Sequence, residues 1–161
     1  MLKDVQMETI ASFKINHDKL QKGMYVSRID GDIVTYDIRM KRPNNKENDY
    51  LSTGAAHTFE HLFATYARNT KYSENIIYIG PMGCRTGFYF LVRNKISNDE
   101  AISIVKDTMD FIINFEGKIP GSNKEECGNY LDHDLNGAKL IAKDMKEVLK
   151  NWTSENTKYE Q

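Results

Sequence analysis

The sequence predicts an α+β fold in which a mostly antiparallel sheet is covered by helices. Three observations carry that expectation: short alternating or β-branched segments bounded by turn residues, amphipathic segments with capping signals, and short connections throughout. With 161 residues, 40% hydrophobic and 28% charged, the chain can bury one core and has an ordinary globular composition. Residues 1–152 are expected to form a single domain, followed by a polar, frayed tail at 153–161.

The first expected strand is Ile33–Arg39, where Val34, Tyr36 and Ile38 alternate with more polar positions. Asp37 and Arg39 share one face by the period of two, so that face is more than plain core. Pro43 and Asn44-Asn45 interrupt this segment. Ser52 or Thr53 then caps a helix running to about Arg68, with Phe59, Leu62, Phe63 and Tyr66 as its apolar stripe. Strands are expected at Asn75–Ile79 and Gly87–Arg93, with Gly80-Pro81-Met82-Gly83 between them, which puts Cys84 in a connection or at a strand entrance.

Ser97-Asn98-Asp99-Glu100 reads as a capping box opening a helix whose buried side holds Ile102, Val105, Met109 and Ile112. Gly117 and Pro120 end that run. Ser122 to Glu126 predicts a brief helix just before Cys127. A last helix is expected from about Leu135 to Trp152, with Leu140, Ile141, Met145, Val148 and Leu149 turned inward.

A formal net charge of -1 offers no bulk attraction to a phosphate backbone, so nucleic acid is not an expected partner. The short run Arg39, Lys41, Arg42 suits a small anionic substrate equally well. No stretch approaches the roughly 18 to 20 apolar residues that span a bilayer, so no membrane is expected. Met1-Leu2-Lys3-Asp4-Val5 lacks the pattern of a secretory leader, and a cytoplasmic location is the expectation. Cys84 and Cys127 are the two cysteines and make no disulfide scaffold.

His57-Thr58-Phe59-Glu60-His61 is the most specific signal. One helical turn separates the two histidines, so both imidazoles reach one ion from the same face, with Glu60 beside them as a proton carrier. The plainer alternative is two hydrogen-bonded histidines and a surface glutamate. His-x-x-Glu-His is also an inverted zinc-protease motif, so a metallohydrolase using Glu60 to activate water stays open. Cys127 is a candidate third ligand, giving a His2Cys set with an open position, against the alternative of a buried cysteine behind the short helix. His133 is a candidate fourth ligand, although Asp132 and Asp134 make a capping or outer-shell role equally attractive. Cys84 lies between glycines that permit close approach and beside Arg85, which favours a thiolate; a packed cysteine in a tight turn is the alternative.

These residues resemble the LuxS family of S-ribosylhomocysteine lyases, which make the precursor of the quorum-sensing signal autoinducer-2. The matching pieces are Ser12-Phe13-Lys14-Ile15-Asn16-His17, then Tyr36-Asp37-Ile38-Arg39 with Arg42-Pro43-Asn44, and His57-Thr58-Phe59-Glu60-His61-Leu62. Pro81-Met82-Gly83-Cys84-Arg85-Thr86-Gly87-Phe88-Tyr89 follows, then Cys127-Gly128-Asn129 with His133-Asp134-Leu135-Asn136-Gly137-Ala138-Lys139.

The resemblance implies a LuxS-like metalloenzyme fold and one catalytic domain over residues 1–152. It implies His57, His61 and Cys127 as ligands to iron(II), with zinc or cobalt able to occupy the site. It also implies Glu60 and Cys84 as the acid/base pair, and His17 and Arg39 as substrate-site residues. Ser12 and Phe13 match a segment that closes over substrate from the partner subunit of a homodimer. Read without the resemblance, His17 is a turn residue, Arg39 a solvated strand charge, Ser12 a local cap and Phe13 core. The chain departs from the family pattern at Tyr78, where an acidic residue commonly precedes the turn, and at Gly54-Ala55-Ala56. A noncatalytic homodimer binding a metal or thioether ligand is the reading from a different class.

Overall fold

Four antiparallel strands, β1 (Gly23–Asp30), β2 (Ile33–Arg39), β3 (Ile76–Pro81) and β4 (Gly87–Arg93), pair in the order β1-β2-β4-β3 in a computed structural model describing residues 7–160. Met1–Val5, the segment read for a leader, and Gln161 at the end of the tail lie outside the described residues. Three α-helices, α1 (Thr53–Ala67), α2 (Asn98–Ile113) and α3 (Leu135–Val148), accompany the sheet among the described residues. The expected α+β architecture is therefore present.

One face of the sheet carries Met24, Tyr36, Ile38, Phe88, Phe90 and Val92, and these share a buried core with Phe59, Leu62, Val105 and Met109 of the helices. The spacing of α1 matches that of β4. Phe59 and Phe63, one helical turn apart, meet Phe88 and Phe90, two strand residues apart, with ring centroids 5.0 and 5.1 Å from one another. Burying each such ring stabilises the fold by roughly 1.5–3 kcal/mol.

The caps follow the sequence. Ser52 Oγ accepts from the Ala55 amide at 3.3 Å, and Ser97 and Glu100 form a reciprocal capping box. Asp134 caps α3 by accepting from the Gly137 amide at 2.9 Å.

Four local expectations change. Strand β1 was not anticipated, because a bulge between Val26 and Arg28 breaks its period of two, and Tyr25 on its other face is buried as well. Gly31, at φ 60, makes the two-residue turn into β2. Ser122 to Glu126 forms no helix; a turn on the Asn123 carbonyl, which accepts from the amides of Glu126 and Cys127 at 3.0 and 3.1 Å, sets Cys127 in place. Helix α3 ends at Val148, and Leu140 faces outward with 67% exposure.

The tail is docked rather than frayed. Trp152 Nε1 donates to the Met24 carbonyl at 2.8 Å, and the Val26 amide donates to the Thr157 carbonyl at 2.7 Å. Thr157 is buried, and Tyr159 lies stacked on Tyr25 with centroids 5.1 Å apart.

Candidate metal centre

Helix α1 holds His57 and His61 one turn apart, with ring centroids separated by 4.6 Å. His57 Nδ1 lies 2.8 Å from the Asp132 carbonyl, and His61 Nδ1 lies 2.8 Å from the Pro120 carbonyl. A carbonyl only accepts, so each Nδ1 carries the hydrogen and each Nε2 keeps its lone pair. Both lone pairs face Cys127, whose Sγ is 3.3 Å from His57 Nε2 and 4.0 Å from His61 Nε2.

His133 joins this group, and the ligand atoms of His57, His61, Cys127 and His133 all lie within 4.8 Å of one another. Its ring stacks on His57 with centroids 4.0 Å apart, and its Nδ1 is 2.9 Å from Thr58 Oγ1. Its Nε2 is buried without a hydrogen-bond partner. Burial, followed by electrostatic repulsion from the neighbouring His57 and His61 rings, disfavours the charged form of His133, so the neutral ring is favoured. Imidazole nitrogens with fixed tautomers, a thiol and an orphaned buried nitrogen fit a borderline-soft divalent ion.

A second group surrounds Cys84. Arg39, buried at 2% exposure, donates from Nε to Asp37 Oδ1 at 3.1 Å and from Nη2 to Asp37 Oδ2 at 2.7 Å. Its Nη1 donates to Thr86 Oγ1 at 2.7 Å, and Thr86 Oγ1 is 3.0 Å from Cys84 Sγ. Gly87 lets this happen: a Cβ there would run into the Ile38 carbonyl oxygen and push β4 away from β2. Cys84 itself is exposed and Asp37 is fully buried.

Residues 10–156 match the family described as S-Ribosylhomocysteinase (LuxS). The chain belongs to the LuxS family. It is 46% identical over 159 residues to the S-ribosylhomocysteine lyase of Phocaeicola vulgatus, covering 95% of this chain and 98% of the relative. Against the S-ribosylhomocysteine lyase of Clostridium acetobutylicum the identity is 43% over 158 residues, covering 95% of this chain and 99% of the relative. The enzyme of that name from Clostridium beijerinckii is 45% identical over 159 residues, with the same two coverages of 95% and 99%.

The remaining candidates from the sequence occupy separate places in this LuxS-family chain. Glu60 and His61 line one cavity of about 380 Å³ together with Tyr78 and Pro120. Tyr78 also borders a second cavity with Ser12, Tyr89 and Leu91 on the sheet face away from the helices. Phe13 lies on a short 3-10 turn, Ala11–Phe13, and is 73% exposed, so it is not core. His17 donates from Nδ1 to the Ile15 carbonyl at 2.8 Å, a local bond of the kind expected in a turn. Arg39 is no solvated strand charge.

Sequence reasoning missed the groups that hold the site. Asp132 and Pro120 contribute backbone carbonyls, which no side-chain motif announces. Thr58 accepts from the Asp134 amide at 2.9 Å while pairing with His133, and its place inside His57-Thr58-Phe59-Glu60-His61 was the available signal. No helix among the described residues is long and apolar enough to cross a membrane.

Proposed function

We propose that this LuxS-family chain is an S-ribosylhomocysteine lyase. It converts S-ribosyl-L-homocysteine to L-homocysteine and 4,5-dihydroxy-2,3-pentanedione by successive isomerisation followed by β-elimination. The reading is carried by one observation: His57, His61 and Cys127 converge on one point with both histidine tautomers fixed for binding. Its resident ion is iron(II), with zinc or cobalt accepted in the isolated protein, and His57, His61 and Cys127 hold it.

The bound ion supplies Lewis acidity at a substrate carbonyl oxygen. Cys84 Sγ removes the proton from the carbon next to that carbonyl and returns it to the former carbonyl carbon, while the hydroxyl hydrogen of the first carbon passes to the former carbonyl oxygen, moving the C=O one position along the sugar. Two such moves bring the carbonyl from C1 to C3. Glu60 then takes the C4 proton; the electron pair forms the C4–C5 double bond, the C5–S bond breaks, and the sulfur leaves as homocysteine thiolate, which is protonated. The enol left at C4 gains a proton at C5 and loses its hydroxyl hydrogen, which gives the methyl group and second carbonyl of the diketone. Thr86 keeps Cys84 in place during these transfers and His17 orients sugar hydroxyls, while Arg39, expected from the sequence to touch substrate, is buried on Asp37 and Thr86 and acts through Thr86.

Residues 1–152 act as one catalytic domain in this reading. The chain works as a homodimer whose sites lie at the subunit interface, with exposed Phe13 and half-buried Ser12 closing over the substrate of the partner subunit. Glu60 beside His61 would also serve a hydrolase that activates water; the hydrogen-bonded setting of Cys84 favours the lyase.

The test is Cys84→Ala in metal-loaded protein with metal content and fold verified. Homocysteine release should fall by about 100-fold or more, the usual contribution of a positioned acid/base. Near-normal turnover would remove Cys84 from the chemistry.

A further inference from the structure

Tyr159, near the end of the chain, donates from its hydroxyl to Asp37 Oδ2 at 2.7 Å, the oxygen that Arg39 Nη2 also holds at 2.7 Å. We propose that Tyr159 is a positioning residue for the Cys84 acid/base, acting through a line of directed hydrogen bonds over Asp37, Arg39 and Thr86. The inference rests on the reading of Cys84 as the group that moves protons.

The direction of the line follows from what each group can do. A guanidinium has donors and no acceptor, so Arg39 must donate both to Asp37 and to Thr86 Oγ1. Thr86 has one hydroxyl hydrogen. With its oxygen already accepting from Arg39, that hydrogen is free to point at Cys84 Sγ, 3.0 Å away. A hydrogen bond given to sulfur favours the charged form that abstracts protons.

Asp37 is the pivot. It shares a strand face with Arg39, and the two side chains form a pair at 1% and 3% side-chain exposure. Such a buried carboxylate needs its lone pairs satisfied, and Tyr159 supplies the donor that Arg39 does not. With the phenol in place, the carboxylate is held from two sides and Arg39 Nη1 stays aimed at Thr86. Without it, Oδ2 keeps Arg39 Nη2 as its one donor, the carboxylate is held from one side only, and the guanidinium turns with it away from Thr86.

Tyr159 is itself built in. Its ring stacks on Tyr25 at 5.1 Å and 22°, and Tyr25 meets Trp152 edge-on at 5.6 Å. The Thr157 carbonyl is bonded to the Val26 amide two residues before it. Burial, and then the Asp37 charge, push the Tyr159 phenol well above its ordinary value, so it remains a donor across neutral pH. The other titratable or charged groups of this neighbourhood are Tyr25, Tyr89 and Glu160, and burial followed by the Asp37 charge raises both Tyr25 and Tyr89. Both phenols stay neutral there.

Tyr159→Phe removes the hydroxyl and keeps the ring on Tyr25. Cys84 is alkylated with iodoacetamide in metal-loaded protein and followed by mass spectrometry of its own peptide across pH. Because the thiolate is the reacting form, the rate near pH 7 should fall about threefold while the high-pH plateau holds. Homocysteine turnover should show a severalfold lower kcat with KM within about twofold. Thr86→Val, which removes the last donor, should slow alkylation at neutral pH at least as much. A Tyr159→Phe pH profile superimposed on that of the unaltered protein overturns the proposal, and so does a Thr86→Val profile left unchanged. If both profiles move while the unaltered protein releases no homocysteine, the hydrogen-bond line stands and the lyase reading falls.

Discussion

His57 Nε2 stands 3.3 Å from Cys127 Sγ although 70 positions separate them in the chain. The approach is set from behind the ring. The Asp132 carbonyl takes the Nδ1 hydrogen, the Pro120 carbonyl does the same for His61, and the turn on Asn123 delivers the sulfur. Three places along the single connection between α2 and α3 thus meet helix α1 at one point, and the chemistry of that point can be tested piece by piece.

Cys127→Ser should lower metal affinity by more than the 10- to 100-fold that accompanies loss of an outer-shell partner. Competition against a chromogenic chelator gives the affinity. In cobalt-loaded protein the thiolate-to-metal charge-transfer absorption should disappear. Unchanged affinity and spectrum would take Cys127 out of the ligand set.

Thr58→Val should act one layer out. Thr58 Oγ1 holds both His133 Nδ1 and the Asp134 amide, each at 2.9 Å. Its loss leaves the amide at the entrance of α3 with only the Gly54 carbonyl at 3.2 Å, a cost of about 1 kcal/mol in urea unfolding. Metal affinity should drop about tenfold, because His133 loses its anchor. A variant as stable and as tight-binding as the parent would show that Thr58 plays no such part.

Asp37 and Arg39 form the most buried ion pair in the sheet. Replacing Asp37 with leucine alone strands a buried guanidinium and should cost about 3–5 kcal/mol. The double change Asp37→Leu with Arg39→Met should recover much of that loss, since an apolar pair of similar size suits a dry site. Additive losses in a double-mutant cycle of urea unfolding would contradict the coupling.

Alkaline stability follows from Tyr36, fully buried on β2 with its hydroxyl bonded to Asn98 Oδ1 at 2.5 Å. Burial raises its value from 10.0 to about 12. The folded value exceeds the unfolded one, so this contribution is complete below about pH 10 and is lost as pH rises toward 12, at about 1.4 kcal/mol per unit. Tyr36→Phe should therefore lose less stability than the parent between those pH values. Parallel declines in the two proteins would show that Tyr36 does not titrate in this way.

What could be read from the sequence divides along a physical line. Helices α1 and α2 were legible because cap, stripe and terminator are local signals, as Ser52 and the Ser97–Glu100 box show. The spacing of His57 and His61 was legible for the same reason. Strand β1 was not, since its bulge breaks the alternation and the docked tail buries the residue expected to face water. Leu140 fell within reach of the helical stripe but sits on its outer edge, where burial depends on what packs alongside. The tail read as frayed because its polar residues bind distant partners, Thr157 to Val26 and Tyr159 to Asp37. The same holds for the carbonyls of Asp132 and Pro120: any residue offers a carbonyl, and only the fold decides which one meets a histidine.

The most direct measurement is the product balance of iron-loaded protein acting on S-ribosylhomocysteine under anaerobic conditions, with and without a chelator. One equivalent each of homocysteine and 4,5-dihydroxy-2,3-pentanedione should form per substrate consumed, and chelation should stop both together. Full metal occupancy with substrate bound but no thioether cleaved, or peptide cleavage in its place, would contradict the assignment.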